Sequence, residues 1–450
     1  MIPDSERLAA WISAQRWFAG KAHRIARVQV EDRISVGDVM LAIVRLRLDD
    51  ASEDRYAIPL APGGDITDAL EGGEYPSALL ALIRDSGRIG GEQGAIVGHA
   101  TRAVRVPHGT ALRARRLSGE QSNTSVVLGD VAILKHFRRL AAGPNPEQEI
   151  TGFLTERTTF THAPRLYGHV EYRDADGATS TLVVAHELVT GADDGWAWVV
   201  DRLREVFGRV PARPDDRDGL AAVAAVPLGA LERLGERTAA LHVALASVTG
   251  DAAFAPEPIA PADIARWAND VQRQIATAAA AAPTRGIPDA PDVREALGAL
   301  LGRAKTRHHG DFHLGQTLYR AADDDWVLLD FEGEPLRPLE ERRQKTSPLR
   351  DVAGMLRSID YAGVTAAPDP GDARATAWRD VASVAFVRGY RRVAHDAAFV
   401  PRSETGFARA VAVFVIEKAA YEVVYEASHR PEWLGIPVEG LRLAVAALAA

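Results

Sequence analysis

His309-Gly310-Asp311-Phe312-His313-Leu314-Gly315-Gln316, followed by Leu328-Leu329-Asp330-Phe331-Glu332-Gly333, is the stretch that decides the fold. Phosphoryl transfer needs an acidic group beside the acceptor hydroxyl and oxygen ligands that hold magnesium against the phosphates. The spacing repeats the phosphotransfer pattern His-x-Asp-x-x-x-x-Asn, then Asp-Phe-Gly. Asp311 takes the position of the base. Gln316 replaces the metal-binding asparagine with an amide one methylene longer, and Asp330 takes the position of the second magnesium ligand. A solvated acidic hairpin is the alternative for either half alone, but both halves in this order argue against it. Whether Glu332 joins the metal site stays open.

Working outward, a transferring site needs a cation on the nucleotide phosphates and a carboxylate to hold that cation. Lys135 closes Ala132-Ile133-Leu134-Lys135, the form of a strand-borne phosphate lysine. Glu149 or Glu147, at the start of the helix expected after Asn145-Pro146, is its partner. The polar turn Ser118–Ser125 offers backbone N–H groups to phosphate, with Ser122, Asn123 and Thr124 as the contacts. Glu187 and Leu188, ending an apolar strand, stand where a hinge would bond an adenine edge. These readings imply ATP and Mg2+.

Composition bounds the rest. The 450 residues include no cysteine, which excludes disulfides, thiolate catalysis and cysteine-ligated metals. The thirteen histidines show no His-Glu-x-x-His spacing, so a zinc hydrolase is not indicated. A net charge of −8 argues against nucleic acid or an anionic membrane as partner. The N-terminus lacks a secretory pattern and no apolar run is long enough to span a bilayer, so the cytoplasm is the expected location. No protein partner is evident.

Strand-like runs come first and helices later, an α+β pattern. A helix is expected near Ser5–Gln15, then half-buried strands at 28–31, Val39–Leu48 and Tyr56–Leu60. A hairpin is expected around Gly129-Asp130 and another around Asp323-Asp324-Asp325, with helices near Leu228–Ser247, Ile264–Ala281, Ala377–Ala394 and Phe407–Ser428. Arg209–Asp218 reads as a surface loop.

These residues, with Gln15-Arg16-Trp17-Phe18-Ala19-Gly20, Glu120–Ser125, Arg342-Arg343, Ser347–Gly354 and His429-Arg430-Pro431-Glu432-Trp433, resemble the actinobacterial maltokinase-like and glucosamine kinases, relatives of the aminoglycoside phosphotransferases. The resemblance covers nearly the whole chain. It implies a bilobal protein-kinase-like fold: an N-terminal cap over 1–95, a β-rich nucleotide-binding lobe over 96–190 and a helical catalytic and sugar-binding lobe over 191–450. It also implies ATP and a small free sugar as substrates. Lys418, Glu422, Tyr425, Glu426 and His429 recur at helical spacing and, together with Glu417, are expected to border the sugar, with His313 beside the base and Trp433 as an apolar wall. Maltokinases usually read Leu-Asp-Lys-Ala where this chain reads Ile416-Glu417-Lys418-Ala419. The longer acid shortens the pocket and offers a partner to an ammonium group, which favours glucosamine; maltose is the alternative. An aminoglycoside phosphotransferase and an inactive pseudokinase binding module rank below both.

Overall fold

The structure, a computed structural model, describes all residues except 1–3, 108–111, 118–121, 214–215, 336, 370 and 450. Its contacts divide into two compact units, Met1–Thr190 and Gly191–Ala450.

The first unit is built on two antiparallel sheets. Strands Ile25–Val36, Val39–Leu48 and Glu53–Leu60 form a meander, joined at the edge by Arg139–Leu140. Val36 pairs with Val39, so Gly37 and Asp38 make a two-residue turn, and Gly37 adopts φ 59°. That positive φ suits glycine in a tight hairpin. The half-buried pattern expected of Val39–Leu48 is replaced by burial on both faces. Leu41 and Ile43 enter one apolar cluster, while Ala42 and Val44 enter the other. The helix Ser5–Ser13 supplies the second cover through Leu8 and Ile12, with Trp17 and Phe18 beyond it.

The second sheet has seven strands in the order 88–90, 95–100, 166–173, 179–187, 132–137, 123–128, 114–116. A boundary at residue 95 falls on the first residue of Ala95–Ala100, whose partner Arg88–Gly90 lies on the other side of it. The two sheets also share a core, in which Ile34 and Leu41 pack in one cluster with Val126 and Leu134. Buried Asp32 fastens the junction by accepting from Gln93 N (2.9 Å), Gly94 N (2.8 Å) and the Tyr172 hydroxyl (3.1 Å). The helix expected after Asn145-Pro146 runs Pro146–Arg157, with proline in the first turn and Asn145 accepting from Glu147 N at 2.8 Å.

The second unit is mainly helical, and its short strands include the hairpin Thr317–Arg320 and Asp325–Leu328. Helices Ala225–Leu245 and Ala373–Ala394 approach so closely that a Cβ on Gly389 would lie 1.8 Å from the Glu232 carbonyl oxygen. The expected loop Arg209–Asp218 overlaps the helix Arg217–Val223, which Asp216 caps. Among the described residues no helix is long and apolar enough to cross a membrane.

Candidate active site

The loop His309–Gln316 is fastened from below by the helix Leu349–Ala366. Asp351, in that helix's first turn, accepts from His309 N (2.7 Å), Gly310 N (2.9 Å) and His242 Nε2 (2.9 Å). Burial alone would raise its pKa; neighbouring His308 and His242 outweigh that and hold the carboxyl below its ordinary range. Gly354 lets the same helix press on the loop, since a Cβ there would sit 2.6 Å from the Phe312 carbonyl oxygen. Ser358 accepts from Leu314 N at 3.1 Å.

His309 ties the two halves of the motif together. Its Nε2 donates to the Leu329 carbonyl at 2.7 Å, and its ring lies 5.0 Å from Phe312 and 4.8 Å from Phe331. The phenylalanines after Asp311 and Asp330 therefore clamp one imidazole. Asp330 has φ 60°, a left-handed conformation that Asp tolerates better than most residues. Gln316 Nε2 donates to Asp330 Oδ2 at 3.1 Å, so the two expected metal ligands do meet. Glu332 faces Arg342 at 3.8 Å.

Asp311 lines a cavity of about 830 Å³ with Glu334, Arg337, Arg350, Trp267, Phe414 and three residues of the helix Glu404–His429: Glu417, Lys418 and Tyr421. Lys418 Nζ bridges Asp311 Oδ1 (3.0 Å) and Glu334 Oε1 (2.7 Å). Burial would lower the ammonium's pKa, but Asp311 and Glu334 on either side drive it well above the ordinary lysine value. Arg337 and Lys418 together hold Glu334 below the usual carboxylate range against its own desolvation. Glu417 is 5% exposed; its Oε1 accepts from Arg350 Nη1, and its Oε2 is buried without a hydrogen-bond partner among the described residues.

The rest of the expected sugar-facing stripe lies elsewhere. Glu422 turns to the buried Arg357 (2.8 Å), which also binds Asp360. Glu426 binds Arg430 and accepts from the Tyr361 hydroxyl. Tyr425 stacks on His429 at 4.4 Å, and Trp433 on Tyr361 at 6.1 Å. Neither these five residues nor His313, whose Nδ1 accepts from Gly315 N, line the cavity. Helical spacing groups residues on a face, and Arg357 and Arg430 hold Glu422 and Glu426 of that face outside this cavity.

In the first unit, Lys135 is buried on the strand Ala132–Phe137, paired across to Ser125 and Val184. Glu147 is buried 3.6 Å from His186, while Glu149 sits in the same first helical turn. Of the phosphate-loop residues, Ser122 is exposed and Asn123 half-buried. Thr124 is buried and its hydroxyl accepts from Arg138, which pairs with buried Asp68, so it faces the core. Residues 118–121 of that loop lie outside the described residues. Glu187 is bidentate to Arg165, and the N–H groups of Glu187 and Leu188 already donate to the Arg165 and Val131 carbonyls.

Sequence reasoning assigned no role to Glu334, Arg337, Arg350, Asp351, Trp267 or Tyr421. Arg350-Asp351 stood within the resembling motifs and could have been suspected; Trp267 carries no local signal.

The pattern of the maltokinase N-terminal cap domain matches residues 11–90, and that of the phosphotransferase enzyme family matches residues 113–394. A glucosamine kinase of Streptacidiphilus jiangxiensis is 29% identical, over 97% of this chain and 90% of its own. One of Mycolicibacterium smegmatis is 28% identical, over 73% of this chain and 78% of its own. A solved glucosamine kinase shares the fold with a TM-score of 0.71, at 24% identity over 99% of this chain and 100% of its own. With the Asp311 and Asp330 motifs in place and more than half its length matched, the chain belongs to the phosphotransferase enzyme family and carries a maltokinase-type cap.

Proposed function

We propose that this enzyme transfers the γ-phosphate of ATP to the 6-hydroxyl of glucosamine. The observation that carries the reading is Glu417: a buried carboxylate oxygen without a partner, in the wall of the cavity that also holds Asp311. A buried anion left short of hydrogen bonds is costly, and an ammonium group meets that need where a neutral hydroxyl does so less well. The names of the relatives, glucosamine kinases over most of their length, support the same acceptor.

Asp311 would accept or orient the proton of the attacking hydroxyl, with Lys418 holding its carboxylate in place. Lys135, with Glu149 or Glu147 as its carboxylate, would bind the nucleotide phosphates. Gln316 and Asp330 would hold Mg2+; the amide nitrogen of Gln316 now faces the Asp330 carboxylate, and turning the amide over would present its oxygen beside that carboxylate, the donors that a hard cation takes. When bound, the ion neutralises charge developing on the phosphates. The glutamine side chain supplies a neutral donor and Asp330 the charge. With ATP as donor, the cytoplasm is the proposed location. The cap, over 1–95, and the nucleotide-binding segment, over 96–190, are proposed as separate functional parts of the first unit.

A second reading, maltose, is favoured by the cavity's size, about 830 Å³, more than a monosaccharide needs. The test is ATP consumption by the purified protein with glucosamine, glucose and maltose, with the product's phosphate position read by NMR. Turnover with maltose and background rates with glucosamine would reject the amino-sugar reading.

A further inference from the structure

The seven-stranded sheet carries a side-chain cluster that phosphoryl transfer leaves unused. His99 and His169 stand directly opposite each other on the antiparallel strands Ala95–Ala100 and Leu166–Arg173. Directly opposed residues share a face, and Glu171, two positions on, shares it too. The neighbours Ile96, Val170 and Tyr172 point to the other face and into the apolar core. The two imidazoles stack with centroids 4.6 Å apart and planes 17° from parallel.

One ligand atom from each of His99, His169 and Glu171 lies within 4.8 Å of the others. His99 Nε2 is shielded from water and makes no hydrogen bond among the described residues; Glu171 Oε1 is 3.4 Å away. His169 Nε2 meets Gln148 Nε2, on the helix Pro146–Arg157, at 3.0 Å. Arg173 Nη2 contacts Glu171 Oε1 at 2.7 Å, and the carboxylate has a second oxygen to offer. A sheet face partly open to solvent accepts any polar residue. Two stacked imidazoles beside a carboxylate bring together the ligand types that a transition-metal cation takes.

We propose that His99, His169 and Glu171 bind one divalent transition-metal ion of the zinc type, through two imidazole nitrogens and one carboxylate oxygen. Imidazole with carboxylate suits zinc, cobalt and nickel rather than magnesium. Zinc takes such ligands at about 2.0–2.2 Å, so the three side chains would have to draw closer together around the ion. Sites with three protein ligands leave a position for water. Gln148, released from His169 or turned toward the bound water, would tie the ion to the first turn of the helix Pro146–Arg157. Two strands and one helix would then be pinned at one point, and binding to the folded state alone raises its stability.

The full-length protein, treated with chelator and dialysed, is titrated with Zn2+ by calorimetry and with Co2+ by visible absorption and paramagnetic NMR. One equivalent of Zn2+ is expected, with a rise of roughly 2–4 °C in Tm. His99→Gln and His169→Ala should each weaken binding by about tenfold or more, since each removes one of three ligands. His23→Ala, at the exposed group His23, Asp49 and Asp50, should leave binding unchanged. The proposal is overturned if Zn2+ does not bind, if both histidine variants bind it undiminished, or if His23→Ala abolishes it. Should the histidine variants misfold, Co2+ on the unaltered protein decides. Two paramagnetically shifted imidazoles support the site, and a spectrum without nitrogen ligation rejects it.

Discussion

Glu417→Gln separates the ammonium of glucosamine from the rest of the sugar. The amide keeps the side chain's length and still accepts from Arg350 Nη1 at Oε1, so the cavity wall stays in place. What it removes is negative charge at Oε2, the oxygen without a partner. A hydrogen bond to a charged group is worth about 1.5–3 kcal/mol, and about 1.4 kcal/mol is tenfold in rate. If that oxygen receives the ammonium, kcat/KM for glucosamine should fall roughly 10- to 150-fold more than for glucose. Weakening of the Arg350 pair acts on both sugars and cancels in the ratio. Coupled ADP release at fixed ATP and magnesium measures it, and Glu417→Asp, which restores charge one methylene short, should recover part of the preference. Equal losses for glucosamine and glucose would refute the assignment of Glu417 to the ammonium.

Asp311→Asn should cost about 10²–10⁴-fold in turnover while ATP still binds; a loss of only a few-fold would take the base role away from Asp311. Asp330→Ala should abolish magnesium-dependent turnover, and full activity at saturating magnesium would end its ligand role. Lys418→Met leaves the carboxylates of Asp311 and Glu334 facing each other without their cation, so urea unfolding should show a loss of about 3–5 kcal/mol. A loss under 1 kcal/mol would mean that the ion pair does not support the fold. Burial lowers the pKa of His308 to about 4 against an ordinary 6.5, so the folded state resists a proton that the unfolded chain accepts. Stability is therefore full above pH 6.5 and declines as pH falls toward 4. This group should account for about 2 kcal/mol between pH 7 and pH 5, and His308→Gln should flatten that slope. An unchanged slope in the variant would refute the assignment.

Local spacing made much of the fold readable. The helix at Pro146 follows from an N-capping asparagine and a proline in the first turn, and the small hairpin before Asp330 from two short apolar runs around three aspartates. The loop His309–Gln316 and Asp330 were readable for the same reason: the two halves of the motif lie within about twenty residues of each other, and His309 reaches Leu329 across one hairpin. The strand Val39–Leu48 went otherwise, because alternation reveals two faces and not that a second core waits on the outer one.

Much of the cavity wall was decided by tertiary structure: Glu417 and Lys418 were expected from the sequence, whereas Trp267, Glu334 and Arg350 were not. Trp267, Glu334, Arg350 and Glu417 come from segments far apart in the chain, and no periodicity joins them. Along the helix Glu404–His429 the sequence by itself determined which residues share a stripe. It did not determine that Arg357 would claim Glu422, that Arg430 would claim Glu426, and that Lys418 would be left to bridge Asp311 and Glu334. The physical reason is that backbone preference and apolar spacing act between neighbours along the chain. The partner of a buried charge is whichever opposite charge the packing of distant segments brings within about 3 Å, where low dielectric makes the choice decisive.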